Sequence, residues 1–294
     1  MSSRNQYMAL FGCCLLAGIL TGCASTKQAV ETNTAKTSSV IHVDIPFADL
    51  QPLEDSARSR PEIEQVLAGY EQISVQDPAY NDAQIGIARL YLLLGAAHAL
   101  DRSEQREFYT LAQQAAERAL RQNAAFRQTI DSGQSFATAA QALPVEDYEP
   151  LFLWVTSVFY TFRDVARLPE RTFKRKNLQE AAAILENMIR TAPAWNDGAL
   201  QFSLGIYYLS VPQFMGGNRS KARQLMNEAV EMSDQRLLAR WGRAKYLAVE
   251  LGDWELFHSD LEWVATRDLS ALSGPVIWNA YFQEDALRLL ESRE

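Results

Sequence analysis

Apolar side chains recur every three to four residues over long stretches of this chain, with polar ones between them. Phe108, Leu111, Ala112, Ala115 and Ala119 stand at i, i+3, i+4, i+7 and i+11, a spacing that puts all five on one face of a helix. Leu178, Ala181, Ala182, Leu185 and Ile189 repeat it, and so do Ala222, Leu225, Met226 and Ala229. Each stripe follows a segment richer in large apolar and aromatic residues, and a breaker such as Pro193 or Asp234 comes after. A helix pair of this kind cannot bury its own face and must stack on its neighbours, so the pattern predicts helical hairpins piled one on another. Further helices are predicted over residues 62–75, before Asp77-Pro78, and 277–290, after Gly274-Pro275.

Residues 151–162 break the amphipathic rule, because they are apolar on nearly every side and are closed by Arg163 and Asp164. Twelve residues fall well short of the roughly 20 that a membrane-spanning helix needs. Such a helix must be covered all round, by neighbouring helices or by a subunit or ligand. Where it lines an apolar cavity or channel, Trp154, Phe159 and Tyr160 are the candidate ligand contacts, Tyr160 adding a hydrogen bond for a polar end.

Composition agrees with the periodicity. Ala and Leu number 75 against 26 Val and Ile, a skew towards helix formers and away from β-branched strand formers. The expected fold is all-α. Hydrophobic residues at 48% supply a core and exclude global disorder. With 28 Lys and Arg against 36 Asp and Glu, the net charge of −8 argues against a nucleic-acid partner, since phosphate backbones are held by clustered cations. Within this acidic chain Arg167, Arg171, Lys174, Arg175 and Lys176 cluster. They form either a solvated turn or a positive patch, and in the second case Arg171, Lys174, Arg175 and Lys176 would steer an acidic partner.

The chemistry of catalysis is missing from the sequence. No H-E-x-x-H, G-x-S-x-G, G-x-x-x-x-G-K-[ST] or paired C-x-x-C occurs, so no metal site, cofactor or nucleophile is expected. His258, Ser259 and Asp260 are consecutive, and consecutive helical residues point in different directions. His42 and His98 stand apart from them. The expectation is a binding protein and not an enzyme.

The N-terminus has its own grammar. Arg4 precedes a 12-residue apolar run over residues 9–20, too short to span a bilayer, and Leu20-Thr21-Gly22-Cys23 closes it. That tetrad resembles the bacterial lipoprotein box, which implies a signal peptide over residues 1–22 and acylation of Cys23. The cysteines are Cys13, Cys14 and Cys23, so the processed chain keeps one thiol, at its first residue. Several acyl chains hold a protein on a membrane almost permanently, and Ala24 after the cysteine implies the outer membrane and a periplasmic body. Residues 24–41 read as a flexible tether and 43–53, with Pro46 and Pro52, as an extended arm without regular structure. The expected layout is a signal over 1–22, lipidated cysteine, tether and arm over 23–60, and a helical repeat domain over 61–294.

The hairpin signature resembles the tetratricopeptide repeat. Leu204-Gly205, Tyr208, Ala222 and Ala229 fit one unit with five extra residues, and Trp241, Leu251-Gly252-Asp253-Trp254 and Leu261 fit another. Ala88, Tyr91, Ala112 and Ala119 make a looser one. The loop Val211-Pro212-Gln213-Phe214-Met215-Gly216-Gly217-Asn218-Arg219-Ser220-Lys221-Ala222, together with residues 251–257 and 261–264, resembles the T component of periplasmic TRAP transporters. The likeness covers most of the chain beyond the leader. That family often has Asp where this chain has Asn218, and both residues cap helices. The resemblance implies a tetratricopeptide-like α-solenoid, a homotrimer, a hydrophobic path through each protomer, and docking of a periplasmic substrate-binding protein that receives a small hydrophobic ligand. An outer-membrane assembly or secretion adaptor, or a regulator of cell-wall enzymes, is the alternative for a lipoprotein of this architecture.

Overall fold

The computed structural model describes residues 45–292, except 168, 169, 172, 173 and 233. Helices α1 (Phe47–Ser56) and α2 (Arg60–Glu71) lead into α3 (Tyr80–Leu93) and α4 (Arg102–Leu120). Two short helices, α5 (Ala124–Asp131) and α6 (Phe136–Ala140), precede α7 (Tyr148–Tyr160). Then follow α8 (Arg175–Thr191), α9 (Ala199–Ser210), α10 (Arg219–Glu231), α11 (Leu237–Gly242), α12 (Trp254–Ala265) and α13 (Val276–Glu291). Among the described residues there is no strand, and the all-α expectation holds.

Capping explains many of the boundaries. The side chains of Asp101, Asn123, Ser135, Asn218 and Asp253 each accept a hydrogen bond from a first-turn N–H of α4, α5, α6, α10 and α12, satisfying donors that a helix start leaves orphaned. Ser59 and Glu62 form a capping box around Pro61 at the start of α2. α5 and α6 are absent from the periodicity because each is too short to show it.

The predicted stripes are the buried faces. Phe108, Ala112, Ala115 and Ala119 of α4, Leu178, Ala181, Ala182 and Leu185 of α8, and Ala222, Leu225, Met226 and Ala229 of α10 are all buried. Side-chain contacts show that paired helices run in opposite directions. From α3 to α4, Gln84 meets Arg118, Tyr91 stacks on Phe108, and the Gly95 carbonyl accepts from Gln105. From α9 to α10, Gly205 packs so closely that a Cβ would stand 2.9 Å from Met226 Cγ. In the loop between them a Cβ on Gly217 would collide with the Val211 carbonyl oxygen at 1.7 Å, so the second glycine of the Gly-Gly pair is a steric requirement.

The arm is different from the expectation. Phe47–Ser56 is helical with Pro52 inside it, although an interior proline removes a backbone hydrogen bond. Burial offsets that loss: Leu50 is fully buried, and the buried Glu54 carboxylate accepts from Arg89 and from the Tyr70 hydroxyl at 2.9 Å. These partners lie on α2 and α3, out of reach of a local reading.

Three regular helices pass into π-helical turns. α3 does so at Leu94–His98, α7 at Thr161–Val165, and α11 at Arg243–Ala248 before a last turn at Val249–Leu251. Turns of this type often mark functional positions. No helix among the described residues is long and apolar enough to cross a membrane.

Candidate functional site

The apolar helix α7 is covered by protein on most sides. Leu151, Val155 and Val158 are buried in the main core. A further stripe, Glu149, Phe152, Thr156, Phe159, Tyr160 and then Arg163, recurs every three to four residues and lines a cavity of about 470 Å³. That volume lies within the range of about 300–1,000 Å³ usual for small-molecule sites. α9 contributes Phe202, Ser203 and Ile206, α11 contributes Trp241, and α13 contributes Trp278 and Phe282.

Of the three candidate ligand contacts, Phe159 and Tyr160 line this cavity. Trp154 does not. It stacks on Phe136 with centroids 3.8 Å apart and planes at 14°, and its buried Nε1 has no hydrogen-bond partner. The helical period sets it on a different side of α7.

Three guanidinium groups lie in the wall. Arg89 donates to Glu54 and, at 2.8 Å, to Glu149. Arg163 lies between the rings of Tyr160 (4.6 Å) and Tyr246 (4.7 Å) and donates to Asp164 at 2.8 Å, while the Tyr109 hydroxyl donates to the same carboxylate at 3.1 Å. Burial would lower the Arg163 pKa, but its phenolic and carboxylate neighbours more than compensate and hold it well above the usual guanidinium value. Burial also pushes Tyr160 and Tyr246 upwards, so both stay protonated hydrogen-bond donors. Arg236 differs from the other two. Its Nη1 donates to the Asn196 carbonyl at 2.8 Å and to the Asn196 side chain. Burial lowers its pKa, and the charges of Asp197 and Glu149 only partly oppose the shift.

A second cavity of about 420 Å³ lies next to the first. Leu92, Tyr246 and Phe282 face the first cavity, whereas their chain neighbours Leu93, Lys245 and Tyr281 face the second. The backbones of these three segments therefore run between the two cavities. Trp241, which lines the first, donates its indole N–H to Asp285 at 2.8 Å, and Lys245 donates to the same carboxylate at 2.7 Å. Burial lowers the Lys245 pKa despite that partner. His98 lines the second cavity and is held below its usual pKa by burial and then by the charge of Arg60.

The basic cluster separates into two kinds of residue. Arg171 donates to the carbonyls of Ala166 and Arg163, both at 3.0 Å, and covers Phe162, and Lys174 pairs with Glu170 at 2.9 Å. Arg175 and Lys176 open α8 and are exposed. Cys23 and His42 lie outside the described residues. Asp260 is fully buried between Arg240 and Arg243, and His258 packs its ring against Phe257.

Sequence reasoning missed Arg163, Arg236, Trp195 and Trp278 as cavity residues, and read Trp241 as a repeat marker. Three of the six tryptophans, Trp195, Trp241 and Trp278, line the cavity, and no local pattern marked them or the two arginines.

Helix pairs closing on a cavity walled by aromatic rings and buried guanidiniums define this molecule as a helical scaffold with an internal chamber. Residues 62–294 match the TRAP transporter T-component family, and the chain belongs to that family. It is accordingly an accessory component associated with a TRAP transporter, periplasmic or membrane-associated. No curated protein matches it.

Proposed function

We propose that the chain is a lipid-anchored periplasmic scaffold that holds the substrate-binding protein of a TRAP transporter and passes a small hydrophobic ligand to it. The cavity of about 470 Å³, with Phe159 and Tyr160 in its wall, is the observation that carries this reading. Its proximity to a second cavity supports passage between the two. Acylation at Cys23, an outer-membrane location, tetratricopeptide-like stacking of the hairpins and a homotrimer belong to the same reading.

Arg175 and Lys176 support a docking role. Cations at a helix start oppose the helix dipole, at a cost of about 0.3–1 kcal/mol each, so helix stability does not explain their position. An acidic face on the partner would. Native mass spectrometry of the delipidated protein tests the ligand and oligomer together. A trimer carrying a co-purified small molecule is the expected result, whereas an unliganded monomer that takes up no apolar probe would refute the reading.

A further inference from the structure

Gly242 is the last residue of α11, with φ at −73° and ψ at −33° where the chain passes on into the π turn. Any residue adopts those angles, and glycine weakens a helical run relative to alanine. Its reason is therefore steric. A Cβ at position 242 would stand 2.1 Å from Cε2 and 2.2 Å from Cζ of Phe202, where ordinary contact begins at 3.4 Å. The edge of the Phe202 ring, carried by α9, rests against the bare backbone of α11.

Gly69, Gly86, Gly95 and Gly205 accommodate other side chains in the same way, those of Leu50, Tyr70, Tyr109 and Met226. None of those four side chains is among the residues lining either cavity, whereas Phe202 lines the larger one. Phe202 also belongs to a cluster with Met226, Ala229, Ala239 and Leu247, each at most 3% exposed. A packed interior yields little room, so a ring lifted off position 242 has the cavity as its open side.

We propose that Gly242 is a positioning residue that sets the longest apolar ligand the cavity admits. It seats the Phe202 ring on backbone and so keeps that ring out of the chamber. A methyl group at 242 would drive the ring about 1.3 Å, the difference between 2.1 and 3.4 Å, into space that a ligand tail would fill. This rests on the cavity being a ligand site and adds what limits the ligand's length. The ring of Phe202 is the wall, and Gly242 fixes where that wall stands.

A chain-length series tests it. Hexanol, octanol, decanol and dodecanol are titrated into the delipidated full chain by calorimetry, and the ratio of decanol to hexanol affinity is compared between variants. In the parent, affinity should rise several-fold per methylene up to a limiting length. Gly242→Ala is expected to lower decanol affinity at least about tenfold, the scale of one overpacked group, while hexanol binds as before. Gly242→Ala combined with Phe202→Leu should recover decanol binding, and Phe202→Leu alone should hold dodecanol more tightly than the parent does. An equal loss for hexanol and decanol in a folded Gly242→Ala protein would reduce Gly242 to a structural role and overturn the proposal, as would an unchanged ratio. Where Gly242→Ala does not fold, Phe202→Leu decides alone, and a dodecanol affinity no higher than the parent's would overturn the proposal. Failure of every alkanol to bind the parent would overturn the cavity reading together with this one.

Discussion

Single side chains in this protein do more than fill space where they meet orphaned backbone or buried charge. Glu62 accepts from the Ser59 and Arg58 backbone N–H groups at 2.8 and 2.9 Å and from the Ser59 hydroxyl at 2.8 Å. Those bonds favour the ionised form and hold its pKa down to about 2, against an ordinary 4.5. A carboxylate with a depressed folded-state pKa contributes stability above its unfolded value and loses it as pH falls through the folded one. Thermal melts recorded from pH 5 to pH 2 should therefore show a shallower fall in Tm for Glu62→Gln than for the parent, with the curves converging near pH 2. A parallel pair of curves would remove Glu62 from the acid response. The sequence reading began a helix at residue 62 without the capping box that Ser59 and Glu62 form. It did not expose Arg163, whose partners Tyr160 and Tyr246 belong to two separate helical segments.

Among the elements, the π-helical turns shape the chambers. Arg163 leaves the turn after α7, Tyr246 and Lys245 the one after α11, and His98 the one after α3, and each faces one of the two cavities. A π turn holds one residue more than an α turn, so it re-aims everything beyond it by about 100°. Deleting Ala244 from the Arg243–Ala248 stretch should restore α-helical phasing and turn Tyr246 and Lys245 away from their present cavities. Circular dichroism is expected to show unchanged helix content, while octanol affinity drops at least about tenfold; retained affinity would show that the turn does not set the wall. Hydrophobic period and helix breakers made α2, α4, α8, α10 and α13 legible. α1 was not, because two prolines signal extended chain locally, whereas Leu50 and Glu54 are held by α2 and α3. Propensity lost to tertiary packing there.

For the molecule as a whole, family membership ties the scaffold to a TRAP transporter, and surface charge bears on how it would meet a partner. Exposed charges govern encounter rates more than final affinity. If the proposed substrate-binding protein is the partner, Arg175→Glu combined with Lys176→Glu should lower the association rate by about tenfold at low salt and weaken its salt dependence, as surface plasmon resonance would record; unchanged kinetics would move the docking face elsewhere. Helix positions, their caps and their buried faces were written in the amino-acid order, because a 3.6-residue period and a first-turn acceptor are local properties. The chamber was written there only at Phe159 and Tyr160, on a helix apolar on nearly every side. Arg89, Tyr160, Arg236, Gly274 and Phe282 are scattered over nearly two hundred positions, and nothing in the order of residues says which helix faces remain unfilled when the others close. That is settled by long-range packing, which brings faces of α7, α9, α11 and α13 around one space.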